Sequence, residues 1–161
     1  MTEVEMTLLL QELSQTAKTL NRDSDSVNEL IAQLEDTLSA FNIGLEVWYM
    51  QESVESRSRW IEGDFGSQFK NGTIEVELGY AKERATDEWH LMLREAAYEK
   101  DKDDEFENTV LYDVSNTQRL LDAPRKHRIR ALALMPGLLG TIKREAEEAI
   151  KTIEAAKKIL K

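Results

Sequence analysis

The chain has 161 residues, 41% hydrophobic and 32% charged, with no cysteine and a formal net charge of −10. That is long enough for a core without covalent staples, and the composition is that of a folded chain. The missing cysteines exclude a disulfide scaffold, thiolate catalysis and cysteine-ligated metal. The acidic balance argues against general affinity for nucleic acid or anionic membrane, because both require Lys and Arg against phosphate.

No apolar run approaches the ~20 residues needed to span a bilayer. The start, Met1-Thr2-Glu3-Val4-Glu5, lacks the basic region of a signal peptide, so a cytoplasmic protein is expected.

In chain order, Thr2-x-x-Glu5 has the form of a capping box, followed by Met6, Leu10, Leu13, Ala17 and Leu20 on one helical face. The polar stretch Asn21-Arg22-Asp23-Ser24-Asp25 reads as a break before a second box, Ser26-x-x-Glu29. Val27, Ile31, Leu34, Leu38 and Phe41 continue the alternation, and Asn42 and Gly44 supply stop residues. This predicts an antiparallel helical hairpin over residues 1–42.

Residues 43–114 read as an antiparallel sheet of four or five strands. Ile43 to Met50 is rich in β-branched and aromatic residues, and Arg57 to Glu62 suits an edge strand. Gly63 to Ser67 reads as a loop and Asn71-Gly72 as a turn. Ile74, Val76, Leu78 and Tyr80 alternate with Glu75, Glu77, Gly79 and Ala81, and Trp89, Leu91 and Leu93 alternate with His90, Met92 and Arg94. A turn centred near Arg84 and Ala85 would put Leu78 opposite Leu91 and Glu75 opposite Arg94. Val110 to Val114 adds a further strand.

Residues 115–161 read as helical. Ser115-x-x-Gln118 suits a short helix carrying Leu120 and Leu121, and Asp122 before Ala123-Pro124 suits another helix start. Met135-Pro136-Gly137 predicts a kink or break. Leu139, Ile142, Ala146, Ala149, Ile153, Ala156 and Leu160 then keep a three–four alternation. Such a seam either packs against the N-terminal hairpin or joins two chains, and packing within one chain is preferred here. The expected architecture is one α+β domain: an N-terminal hairpin, a meander sheet and a long C-terminal helix, the helices forming a layer on one sheet face.

Few residues suggest chemistry. The basic turn Arg125-Lys126-His127-Arg128-Ile129-Arg130 would hold a phosphate or an acidic partner, or pair with the chain's own carboxylates, such as those between Glu99 and Glu107. Internal pairing is the favoured reading, although a helical wheel places Arg125 inward beside Ile129 and Leu132. The stretch Glu99 to Glu107 lacks the glycine and glutamate that a calcium loop needs at its sixth and twelfth positions.

His90, Glu77 and Arg94 share one sheet face and would serve as acid–base or orienting groups, or simply form a wet sheet surface. Trp48 and Trp60 would fill the core or form a recognition patch. No P-loop, GxGxxG, HExxH, GxSxG or CxxC motif occurs.

The expected function is a non-enzymatic protein-binding or adaptor protein without cofactor or metal. Its partner would be an unidentified protein or a second copy met through its helices. The alternative is a small-molecule or phosphate-binding protein, an enzyme if His90, Glu77 and Arg94 serve as acid–base or orienting groups, with Arg125 or Arg128 binding an anion. The third reading is an acidic inhibitor that occupies a basic groove of its target.

Overall fold

The computed structural model describes residues 1–62, 69–100 and 109–161. Residues 63–68 and 101–108 lie outside that description, as do several strand-end side chains, Trp60 among them. The loop expected at Gly63 to Ser67 and most of the acidic stretch fall there.

The first helix, α1 (Glu3–Phe41), begins at the predicted box. Glu5 N–H donates to Thr2 Oγ1 at 3.2 Å, and Glu5 Oε2 accepts from Thr2 N–H at 2.6 Å. It ends at Asn42, whose φ of 51° is left-handed. The expected hairpin is therefore one continuous 39-residue helix. Asn21 to Asp25 contains no Gly or Pro, and the polar residues that are there each cost a helix only up to ~0.7 kcal/mol relative to alanine. Burial of Ser24 against the protein holds that turn in place. The second predicted box is not used as a cap, since Ser26 Oγ donates back to the Arg22 carbonyl.

β1 (Val47–Tyr49) and β2 (Glu55–Glu62) lie end to end along one edge of β3 (Phe69–Lys82). β4 (Trp89–Lys100) pairs with β3, and β5 (Thr109–Arg119) closes the other edge. All pairs are antiparallel, so the sheet is a five-stranded meander in four lanes. Asn71-Gly72 is not a turn but lies inside β3, opposite Trp60 and Arg59.

In the β3–β4 hairpin Leu78 faces Leu93, Tyr80 faces Leu91 and Glu77 faces Arg94, two residues away from the expected register. The turn is closed by Glu83 N–H to the Glu88 carbonyl, with Asp87 at φ 61°, so its centre falls later than Arg84–Ala85. A shift of two preserves the faces, and the apolar residues stay together.

β5 runs through Ser115–Gln118, where a helix start is predicted, and leads into the 3₁₀ turn Leu120–Asp122. The second helix, α2 (Arg125–Ile159), follows Pro124 and continues through Pro136 without the predicted break. A proline inside a helix costs about 3 kcal/mol. Leu134, Met135 and Leu138 around it are all buried, which offsets that cost. Gly137 earns its place differently: a Cβ there would collide with the Tyr49 ring.

One hydrophobic cluster joins these elements. Val47, Val76, Leu78, Tyr80, Leu91 and Leu93 from the inner sheet face meet Ile31 and Leu38 of α1 and Ala131, Leu134, Met135, Leu138 and Ile142 of α2. Trp89 stacks on Tyr80 with ring centroids 5.4 Å apart.

The two helices cross the sheet in the same direction. Asn21 meets Arg125 at one end. At the other, Glu35 reaches Leu91 and Thr141 lies by Val47, and Val47, Tyr80 and Leu91 are neighbours across three strands. The first twenty residues of α1 therefore extend past one end of the layer and the half of α2 that follows Ile142 past the other. The expected seam between the C-terminal segment and the N-terminal helix does not form: Ile142 is buried, whereas Ile153 and Leu160 are exposed. Helical periodicity marks a stripe but carries no information on what covers it.

Candidate interaction surfaces

The sheet face away from the core carries three of the predicted site residues. Glu77 is buried there, accepting from Arg94 Nε at 2.8 Å and from the Tyr98 hydroxyl. Burial, then the Glu77 carboxylate, pushes the Tyr98 phenol well above its ordinary range. The Arg94 guanidinium sits 4.3 Å over the Trp48 ring, and Trp48 Nε1 donates to Glu46. Trp48 lies flat on Gly79, its cross-strand partner, where a Cβ would collide with the ring.

Beside them Glu75 accepts from Ser53 and Ser56 at 2.5 and 2.7 Å. Glu95 accepts from Asn116 and Arg57, and both bonds hold its carboxyl below the usual range. An open cavity of about 440 Å³ is lined by Met50, Ser53, Glu75, Glu77 and Tyr98. Its two carboxylates already accept hydrogen bonds within the chain, Glu75 from Ser53 and Ser56 and Glu77 from Arg94 and Tyr98, which leaves this face poorly prepared to grip a ligand.

His90 does not join Glu77 and Arg94, although strand parity puts it on their face. Its ring is buried among carboxylates, with Nδ1 3.5 Å from Glu35 and Nε2 3.6 Å from both Glu83 and Glu88. Glu35 is the centre of this cluster. It accepts from the backbone N–H of Leu91 at 3.0 Å and pairs with Arg119 at 3.4 Å. The β4–β5 ladder stops at Met92–Arg119, so the Leu91 N–H has no strand partner on that side and Glu35 replaces one. The sequence reading missed this residue. Its signal is a carboxylate on the Ile31/Leu34/Leu38 side of an amphipathic helix, where a charge needs a reason. Among the described residues, no group of three or more His, Cys, Asp or Glu is placed to hold a metal ion.

The basic turn is spent on neighbours within the chain. Arg125 donates to Asn21 at 3.0 Å and is exposed, not inward as the helical wheel suggests. The buried stripe of α2 runs through Ala131, Leu134, Met135 and Leu138, which turns Arg125, with Ile129, toward water. Arg128 donates to the Ala123 carbonyl, His127 meets Glu55 at 2.9 Å and Arg130 approaches Glu52. The predicted site residues thus fall into separate environments: Trp48, Glu77 and Arg94 together, His90 apart, and Arg125 and Arg128 on α2. The Trp60 side chain lies outside the described residues.

Among the described residues, most of the exposed large hydrophobic side chains lie on the two helices. Ser24, Ile31 and Leu38 of α1 are buried, and the same stripe continues toward the N-terminus as Leu20, Leu13, Leu10 and Met6, all exposed; Leu10 and Leu13 keep 60% and 62% of their surface. Leu9 borders it, and exposed Val4 and Leu8 lie on the opposite face of the helix. On α2 the stripe buried at Met135, Leu138 and Ile142 continues as exposed Ile153 and Leu160, with Ile150 and Ile159 alongside. Single exposed apolar residues are ordinary, but contiguous stripes on two helices are the mark of an interaction surface.

Among the described residues, no helix is long and apolar enough to cross a membrane. Comparison of the chain with protein-family models, with curated proteins and with solved structures returns no match.

Proposed function

We propose that this protein is a non-enzymatic binding or adaptor protein that works by protein contact, through the projecting halves of α1 and α2. The observation that carries the reading is the continuation of each buried stripe into an exposed one on the same helix. An amphipathic helix that runs past its own core offers i, i+3, i+4 anchors to a partner. The engaged state of the polar clusters supports the same reading. Glu77, Glu75, Glu35 and His127 each have partners within the chain, and His90, Glu77, Arg94 and Arg128 do not converge on one cavity.

The test is affinity capture with the wild-type chain, with Leu10→Asp/Leu13→Asp, and with Arg125→Ala/Arg128→Ala. Specific protein capture should be lost with the first variant and kept with the second. Capture that survives the leucine changes, or turnover of a small substrate by the purified protein without a protein partner, would overturn the proposal.

A further inference from the structure

We infer that the occupant of these stripes is a second copy of this chain, with the N-terminal half of α1 packed antiparallel on the C-terminal half of the partner's α2. The inference rests on the proposed function above and names its partner. Three features carry it, namely step, charge and direction.

The step comes from the sequence of the two stripes. With α1 read upward from Glu3 and α2 read downward from Leu160, Met6 falls opposite Ala156, Leu10 opposite Ile153, Leu13 opposite Ala149 and Ala17 opposite Ala146. Every pair is apolar on both sides, and Met6 on Ala156 and Leu13 on Ala149 set a large side chain against a small one, as knobs-into-holes packing allows. Each segment is about 18 residues, or about 27 Å, at 1.5 Å per residue, so neither overhangs the other.

Charge selects the pairing. Between residues 3 and 20 lie Glu3, Glu5 and Glu12 against Lys18 alone, whereas residues 143–161 of the facing segment carry Lys143, Arg144, Lys151, Lys157, Lys158 and Lys161 against Glu145, Glu147, Glu148 and Glu154, with the cations concentrated at its C-terminal end opposite Glu3 and Glu5. An acidic helix end therefore meets a basic one. Pairing α1 with a second α1 would oppose like charge and leave the α2 stripe bare.

Direction closes the assembly. Because α1 and α2 run the same way within one chain and project from opposite ends, a two-fold axis perpendicular to them makes both contacts antiparallel at once. Each chain then gives one stripe and receives the other, and the assembly ends at two chains.

The chain has no cysteine, so the contact is open to a clean cross-linking experiment. Leu10→Cys and Ile153→Cys, both at exposed positions, are oxidised separately and as a mixture. A covalent dimer should form in the mixture and not in either variant alone. Cross-linking of Leu10→Cys alone with none in the mixture would overturn the pairing.

A charge exchange supplies the second arm. Lys157→Glu/Lys158→Glu and Glu3→Lys/Glu5→Lys should each weaken self-association at low salt by at least tenfold, and mixing them should restore it. A mixture no better than its components would count against the inference, as would light scattering that reports 18.5 kDa at every concentration. A monomer that still captures another protein through α1 would sink the second copy while sparing the proposed function; a monomer that captures nothing would sink both.

Discussion

Replacing Glu35 by alanine separates a core contact from a decorative one. Glu35 is 6% exposed and its carboxylate accepts from the Leu91 N–H, pairs with Arg119 and stands beside His90. Hydrogen bonds to charged groups contribute about 1.5–3 kcal/mol, and a buried donor left without a partner costs about 1–3. Arg119 is 31% exposed, so water replaces much of that ion pair and little more is lost there. The expected cost is about 3 kcal/mol, or a Tm lowered by about 6–12 °C in a domain of this size.

Glu35→Gln keeps an amide oxygen for Leu91 and should cost about 1 kcal/mol. Urea unfolding followed by circular dichroism reads both, with the slope of the transition unchanged. An alanine variant within 0.5 kcal/mol of wild type would refute the role given to this carboxylate. A glutamine variant as unstable as the alanine one would show that charge rather than the Leu91 bond is what matters.

Gly79→Ala should push the Trp48 ring off the strand and cost about 1–3 kcal/mol as overpacking, read by urea unfolding and by a changed tryptophan emission; an unchanged spectrum and midpoint would contradict the stacked arrangement. Glu95 has a folded pKa below its unfolded value of about 4.3, so its contribution is present above that pH and is lost as pH falls through the lower folded value. Glu95→Gln should accordingly shrink the loss of stability between pH 7 and pH 3. Tyr98 has the opposite sign. Its raised phenol pKa gives stability that is complete below about pH 10 and lost as pH rises beyond it. In an ultraviolet titration Tyr98→Phe should remove absorbance from the part of the phenolate transition that lies above pH 10.

The alternation at Ile74–Tyr80 and Trp89–Leu93 was enough to place the central hairpin and its core face, because a half-buried strand must repeat every two residues. The register was not legible. The loop Glu83 to Glu88 has no Gly or Pro to fix its centre, and a shift of two leaves the hydrophobic pattern unchanged. The polar run at Asn21–Asp25 looked like a break because caps and helix interiors share those residue types, and only the burial of Ser24 decides between them. Glu35 stayed hidden because its partners, Leu91 and Arg119, are 56 and 84 positions away. The basic turn shows the same limit, for the side of the wheel facing the core is set by where β1 and α1 lie, not by the turn's own composition.

Hydrogen-exchange mass spectrometry of residues 3–20 tests the exposed-stripe account most directly. An unsupported helix end of that length frays and exchanges quickly, whereas one packed on a partner does not. The account predicts slow exchange there in the wild-type protein at micromolar concentration, falling at least tenfold in protection with Leu10→Asp/Leu13→Asp while residues 24–38 are unaffected. Equally fast exchange of residues 3–20 in both proteins would contradict it.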